Sequence, residues 1–151
     1  MDARLHMYSN TALLKVLICA GASLTLLADG HYSLVCIKYL IDNGADVNEM
    51  DTNGMTPLYR ALYDGIENET ILLIRKGGDI KAMEHKTGIS TLYIAVEAAM
   101  GINIIEILIN MGADINMHHT DETKSPLIQS IMNNYDQMTE LLVSKGADVN
   151  V

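Results

Sequence analysis

The sequence predicts an all-α solenoid, a row of stacked helix-turn-helix units joined by β-hairpin loops. Three observations carry that prediction. A five-residue segment recurs at a near-fixed period, an apolar helix-length stretch precedes each copy, and a helix-start signal precedes several of those stretches. Gly44-Ala45-Asp46-Val47-Asn48 returns as Gly77-Gly78-Asp79-Ile80-Lys81, then as Gly112-Ala113-Asp114-Ile115-Asn116 and Gly146-Ala147-Asp148-Val149-Asn150, with a near-constant spacing. Gly21-Ala22-Ser23-Leu24-Thr25 is a weaker copy that lies closer to the first than that spacing requires. Self-similarity at such a period marks supersecondary units that cannot bury their apolar faces alone and do so by stacking.

Each element has its own signal. Residues 13–19, 36–42, 70–76, 104–110 and 138–144 carry apolar side chains at three- and four-residue spacing, the mark of a buried helix face. The glycine after each stretch sits where a left-handed C-cap belongs. A second, shorter helix is announced by Asp51-Thr52-Asn53-Gly54-Met55-Thr56-Pro57-Leu58-Tyr59-Arg60-Ala61. Thr56 is a good N-cap and Pro57 a good first helical residue. Gly88-Ile89-Ser90-Thr91-Leu92-Tyr93-Ile94-Ala95 and Thr123-Lys124-Ser125-Pro126-Leu127-Ile128-Gln129-Ser130 repeat the pattern with small changes. Each unit is thus a hairpin turn, a short helix, a tight turn and a longer helix.

The combined pattern resembles the ankyrin repeat, a unit with a D-x-x-G-x-T-P-L-H-x-A segment, an apolar second helix and a closing G-A-D-V-N. The resemblance spans essentially the whole chain. Tyr59 and Tyr93 stand where the family usually has His, and the unit after Gly77 carries a short insertion, in part around 96–101. The register is one partial repeat (1–21), one loop-deleted repeat (22–47) and three fuller repeats (48–81, 82–116, 117–151) in a single array. The last unit is expected to present Leu127, Ile131, Met138 and Leu142 to solvent. The chain stops inside the next hairpin, which reads as a truncation and predicts frayed ends and self-association through the exposed end repeat.

Composition narrows the function classes. The chain has 151 residues, 49% of them apolar and 19% charged, so wholesale disorder is excluded. Its only aromatic residues are seven tyrosines, so the core must be aliphatic. A formal charge of −9 repels phosphate backbones and anionic lipid, which argues against nucleic acid and membrane partners. Two cysteines make no disulfide framework, and the chain reads as intracellular and cytoplasmic. The longest uncharged stretch, 16–28, is too short to span a bilayer. A signal-peptide reading of 11–23 is opposed by Lys15 within the apolar run and Asp2 ahead of it.

No catalytic, cofactor or metal site is expected. His118, followed by His119, Asp121 and Glu122, lies one repeat beyond His85, which places the two clusters on adjacent hairpin tips. Their spacing is looser than that of zinc sites, and they read as solvated polar residues. Cys36 reads as a small core residue, and neither cysteine has a base beside it.

Ankyrin-like arrays are recognition scaffolds, and the resemblance implies a protein partner held by the hairpin tips and the concave face of the first helices. Carried onto this chain, the tip positions are Met50, Thr52, Asn53 and Met55, then Met83, His85, Lys86 and Ile89, then His118, His119, Asp121, Glu122 and Lys124. Tyr63, Asp64, Glu97 and Asn133 add the exposed ends of the first helices. Met and Tyr among acids fit a partner with a basic rim around an apolar patch. The short, irregular, Ile- and Asn-rich units resemble poxviral ankyrin proteins, which implies a host-range or immune-modulating factor in host cytoplasm. The alternative is a degenerate gene fragment with little independent function, and the remote alternative an enzyme or metal-binding protein.

Overall fold

The computed structural model describes residues 34–84, 87–117 and 125–150. The helix expected over 13–19, the loop deletion after Thr25 and the residues Cys19 and His31 lie outside them. Seven helices alternate between long and short among the described residues. They are α1 (Leu34–Asp42), α2 (Pro57–Tyr63), α3 (Glu67–Arg75), α4 (Thr91–Glu97), α5 (Ile102–Asn110), α6 (Pro126–Met132) and α7 (Asp136–Ser144). None is long and apolar enough to cross a membrane. The pairs α2/α3, α4/α5 and α6/α7 fall within 48–81, 82–116 and 117–151.

Local chemistry starts and stops these helices. Thr56, Ser90 and Ser125 are N-caps, whose hydroxyls accept from the backbone N–H of Tyr59, Tyr93 and Ile128 at 3.2 Å each. Pro57 and Pro126 follow as first helical residues. The long helices α1, α3, α5 and α7 end at Gly44, Gly77, Gly112 and Gly146, with φ between 91° and 97°. In each case the glycine N–H and the next residue's N–H return to carbonyls of the last turn, as Gly44 to Ile41 and Ala45 to Leu40. The short helices end the same way through Gly65, Ala99 and Asn134. Ala99 does so at φ 53°, where its Cβ is strained. The connection it occupies, 98–101, is longer than its counterparts 64–66 and 133–135, which locates part of the expected insertion.

Helices of seven and nine residues are too short to persist alone in water. Their stability comes from stacking. α2 packs on α4 and α4 on α6, while α1 packs on α3 and α5 on α7. Leu58, Leu92 and Leu127 hold the same place in the three short helices and are buried together with Leu62, Leu73, Val96, Ile104, Ile105, Leu108 and Leu142. The core is mostly aliphatic but not wholly so, contrary to what the composition suggested: Tyr59 and Tyr93 are buried in it, and Cys36 is buried too. Each such leucine contributes roughly 1.5–3 kcal/mol.

Polar clamps fix the register between units. The Asn48 side chain donates to the Gly77 carbonyl at 3.1 Å and accepts from the Asp79 N–H at 2.7 Å. Asn116 makes the same pair of contacts to Gly146 and Asp148. The middle unit carries Lys81 at this place, and there the grip is different: the Thr91 hydroxyl donates to the Ile80 carbonyl, and Glu67 Oε1 accepts from Gly101 N–H at 2.8 Å. That last contact caps α5, whose own N-cap residue Gly101 has no side chain. On the long helices, Lys76 pairs with Asp42 at 2.6 Å and Lys145 with Glu106 at 2.8 Å. Met111 occupies the intervening position.

Replacing Lys81 with Asn should restore the clamp to Gly112 and Asp114 and stabilise the array by about 1 kcal/mol. Ala99→Gly should stabilise by about 1 kcal/mol through relief of the left-handed strain, a rise in Tm of roughly 2–4 °C. Thermal unfolding followed by circular dichroism checks both. An unchanged or lowered Tm for either variant would contradict the corresponding geometry.

Candidate partner-binding surface

The hairpin tips are built from aspartate and threonine turns. In the first, Asp51 Oδ1 accepts from the N–H of Asn53 at 2.8 Å and of Met55 at 2.9 Å, and the Asp51 N–H donates to the Met55 carbonyl. Asp51 Oδ2 meets Arg60 Nη2 at 3.0 Å, tying the tip to α2. Arg60 Nε is buried without a hydrogen-bond partner among the described residues, so the ion pair satisfies only part of the guanidinium. The second tip closes through a bridge between Met83 and Ser90, a bond from Glu84 N–H to the Ile89 carbonyl, and the Thr87 hydroxyl donating to the Glu84 carboxylate.

These turns place the expected contact residues in three groups. Met50, Thr52, Asn53 and Met83 are exposed at the tips, and Tyr63, Asp64 and Glu97 are exposed at the ends of α2 and α4. Met55 and Ile89 are half-buried against the core and close their hairpins; Asn133, the C-cap of α6, is also half-buried. His85, Lys86, His118, His119, Asp121, Glu122 and Lys124 lie outside the described residues. Among the described residues no three His, Cys, Asp or Glu side chains group closely enough to hold a metal ion.

Beside the tips runs an aromatic and acidic strip that the motif alone did not single out. Tyr59 and Tyr93 fill the family's His positions and are buried, and the Tyr93 hydroxyl donates to Gln129 Oε1 at 2.9 Å in the next unit. Burial pushes both phenols above the usual tyrosine value. The negative charges of Glu84 and Glu97 add to this at Tyr59, together with Tyr63, and Glu97 acts on Tyr93 as well. Glu97 is therefore felt by two consecutive units, and the exposed Tyr63 holds the same helical position one unit earlier. Exposed Met and Tyr next to two carboxylates can bind apolar side chains and cations together.

Asp51 also sets an acid limit for the tip. Burial raises its carboxyl, but hydrogen bonds from Met55 N–H, the Arg60 guanidinium and Asn53 N–H outweigh it and hold the group below the ordinary aspartate value of 3.8. A depressed folded-state pKa contributes stability that is present above 3.8 and is lost as pH falls through the folded value. Unfolding midpoints measured from neutral to strongly acid pH should therefore fall steepest below about pH 4. Asp51→Asn should lose about 1 kcal/mol at neutral pH and show a shallower acid limb. An acid limb identical to that of the parent would contradict the assignment.

The family model described as ankyrin repeats (3 copies) matches residues 24–119 and again 67–151. The B-cell lymphoma 3 protein homolog of Mus musculus is 31% identical over 118 residues, 69% of this chain and 26% of that protein. An ankyrin repeat protein of Acanthamoeba polyphaga mimivirus is 26% identical over 133 residues, 80% of this chain and 22% of the viral protein. An ankyrin repeat protein of Fowlpox virus (strain NVSL) is 30% identical over 133 residues, 85% of this chain and 38% of that protein. The chain thus spans between about a fifth and two fifths of the length of these relatives.

Proposed function

Because the chain belongs to the ankyrin-repeat family, we propose that it is a protein-recognition scaffold that holds its partner with the hairpin tips and the exposed ends of the short helices. The observation that carries this reading is that Met50, Tyr63 and Met83 stand exposed at the tips and helix ends, while Glu84 and Glu97 both act on the phenol of Tyr59. Large apolar side chains in water are the raw material of binding hot spots, and the carboxylates select the rim around them. The partner that fits is a protein with an apolar patch bordered by Lys or Arg. The proposed contact set extends to His85, Lys86, His118, His119, Asp121, Glu122 and Lys124. Relatives in a poxvirus and in mimivirus support a role at the contact between a virus and its host.

Affinity purification with crosslinking from native or infected cells tests this directly. Crosslinks are expected on the tips and on the α2 and α4 ends. Tyr63→Ala and Glu97→Lys should each weaken partner capture by about tenfold or more while leaving the helical signal and Tm intact. Capture indifferent to both substitutions, or labelling confined to the long helices, would overturn the reading.

A further inference from the structure

Tyr59 and Tyr93 hold the same place, third in α2 and third in α4, yet the next unit satisfies only one of their hydroxyls. Tyr93 donates to Gln129, the fourth residue of α6. The fourth residue of α4 is Ile94, which offers no polar side-chain atom, and the Tyr59 hydroxyl has no hydrogen-bond partner among the described residues. Tyr59 is 2% exposed: its ring is buried in the core while its oxygen still touches solvent. A polar group left unpaired at such a place calls for an explanation. Tyr63 follows Tyr59 by one helical turn and Glu97 follows Tyr93 by one turn, and α2 packs on α4, so the ends of both helices share the side on which these phenols lie. Burial, Glu84 and Glu97 together push the Tyr59 phenol above its usual value, so it stays protonated, and two carboxylates from different elements act at its oxygen. Among the described residues neither carboxylate pairs with a cation: Glu84 accepts the Thr87 hydroxyl, and Arg60, beside Tyr59 in sequence, is held by Asp51.

We infer that the joint between α2 and α4 seats one basic side chain of the partner, an arginine guanidinium or a lysine ammonium, at the Tyr59 hydroxyl, where the carboxylates of Glu84 and Glu97 answer its charge. The inference rests on the recognition reading above and narrows it to one seat. A cationic N–H donates to the lone pairs of the phenol oxygen, which no described group now uses. The two carboxylates supply the opposite charge, and the Tyr63 ring, 56% exposed, offers an aromatic face one turn away. An anionic group is repelled by both acids, and a neutral apolar one leaves the hydroxyl unpaired, so a cation is the occupant that satisfies every group present. The seat belongs to this joint alone among the described ones. At the joint between α4 and α6, Gln129 already takes the Tyr93 hydroxyl, and Met132 stands where α4 carries Glu97 and α2 carries Tyr63.

NMR titration of the 151-residue chain with three blocked amino acids tests the inference: the amides of N-acetyl-arginine, N-acetyl-lysine and N-acetyl-citrulline, the last an uncharged stand-in for arginine. The arginine or the lysine probe should give saturable shifts centred on residues 59, 63, 84 and 97, with Kd on the order of 10 mM and weakened by salt. The stronger of the two identifies the side chain that the partner brings. Tyr59→Phe and Glu97→Gln should each weaken the response about fivefold or more. Tyr59→Phe should do so with an unchanged or higher Tm, since no hydrogen bond within the array is lost. Glu140→Gln, which removes the same charge from the exposed side of α7, should respond as the parent does. Equal shifts with citrulline, indifference to Tyr59→Phe, or an equal loss in Glu140→Gln would overturn the inference. Partner capture that depends on Tyr63 with no cation response at residue 59 would overturn the seat alone and leave the recognition reading standing. A cation response at the seat with capture indifferent to Tyr63→Ala would support the seat and count against that reading.

Discussion

Burial between neighbouring units is the constraint on which everything else in this molecule depends. A seven-residue helix beside a nine-residue helix cannot bury enough apolar surface to offset the entropy of ordering them. The deficit is met only when Leu58, Leu92 and Leu127 fall in line and each unit lends its neighbour a wall. Tip positions inherit their geometry from that line. Met50 and Met83 stand one repeat apart in sequence because their units sit side by side in space. The proposed recognition surface is therefore a by-product of the packing that makes the chain fold.

The seams between units share an apolar interior and differ at their polar margins. Two are closed by an asparagine that spans the joint and by a lysine pairing with an acid or amide on the long helices. The middle one has Lys81 and Met111 at those places and relies on Thr91, Glu67 and the α2–α4 contact. Identical folds thus tolerate different fastenings, because the apolar term is large and shared while each polar contact adds only about 1 kcal/mol. The same logic explains Ala99. One strained residue is held in place by the buried helices on either side of it.

Much of the fold was legible in the sequence because its signals are local. Caps at Thr56 and Gly77, and the period of apolar residues between them, act within a turn or two of helix. The helix start at Ser90 followed from likeness to Thr56, although Thr91 replaces the proline. What was not legible depends on side-chain direction across units. Leu127, Met138 and Leu142 looked solvent-facing in a list of apolar residues and proved to be core. The aromatic and acidic strip was hidden for a related reason. Glu84 lies at the base of one hairpin and Glu97 at the end of a helix, and only stacking brings both near Tyr59. Comparing residues one repeat apart, such as Tyr63 with Glu97, is the signal that could have found it. Glu67 capping α5 through Gly101 belongs to the same class of contact, invisible to any window shorter than the repeat.

Circular dichroism of an isolated unit puts mutual support between neighbours to its most direct test. A peptide covering 48–81 contains one hairpin tip, α2 and α3 with all their own caps. If the stack is the source of stability, this peptide shows little helix and no cooperative melting transition, while the 151-residue chain shows both. A peptide that folds on its own with a sharp thermal transition would contradict the account.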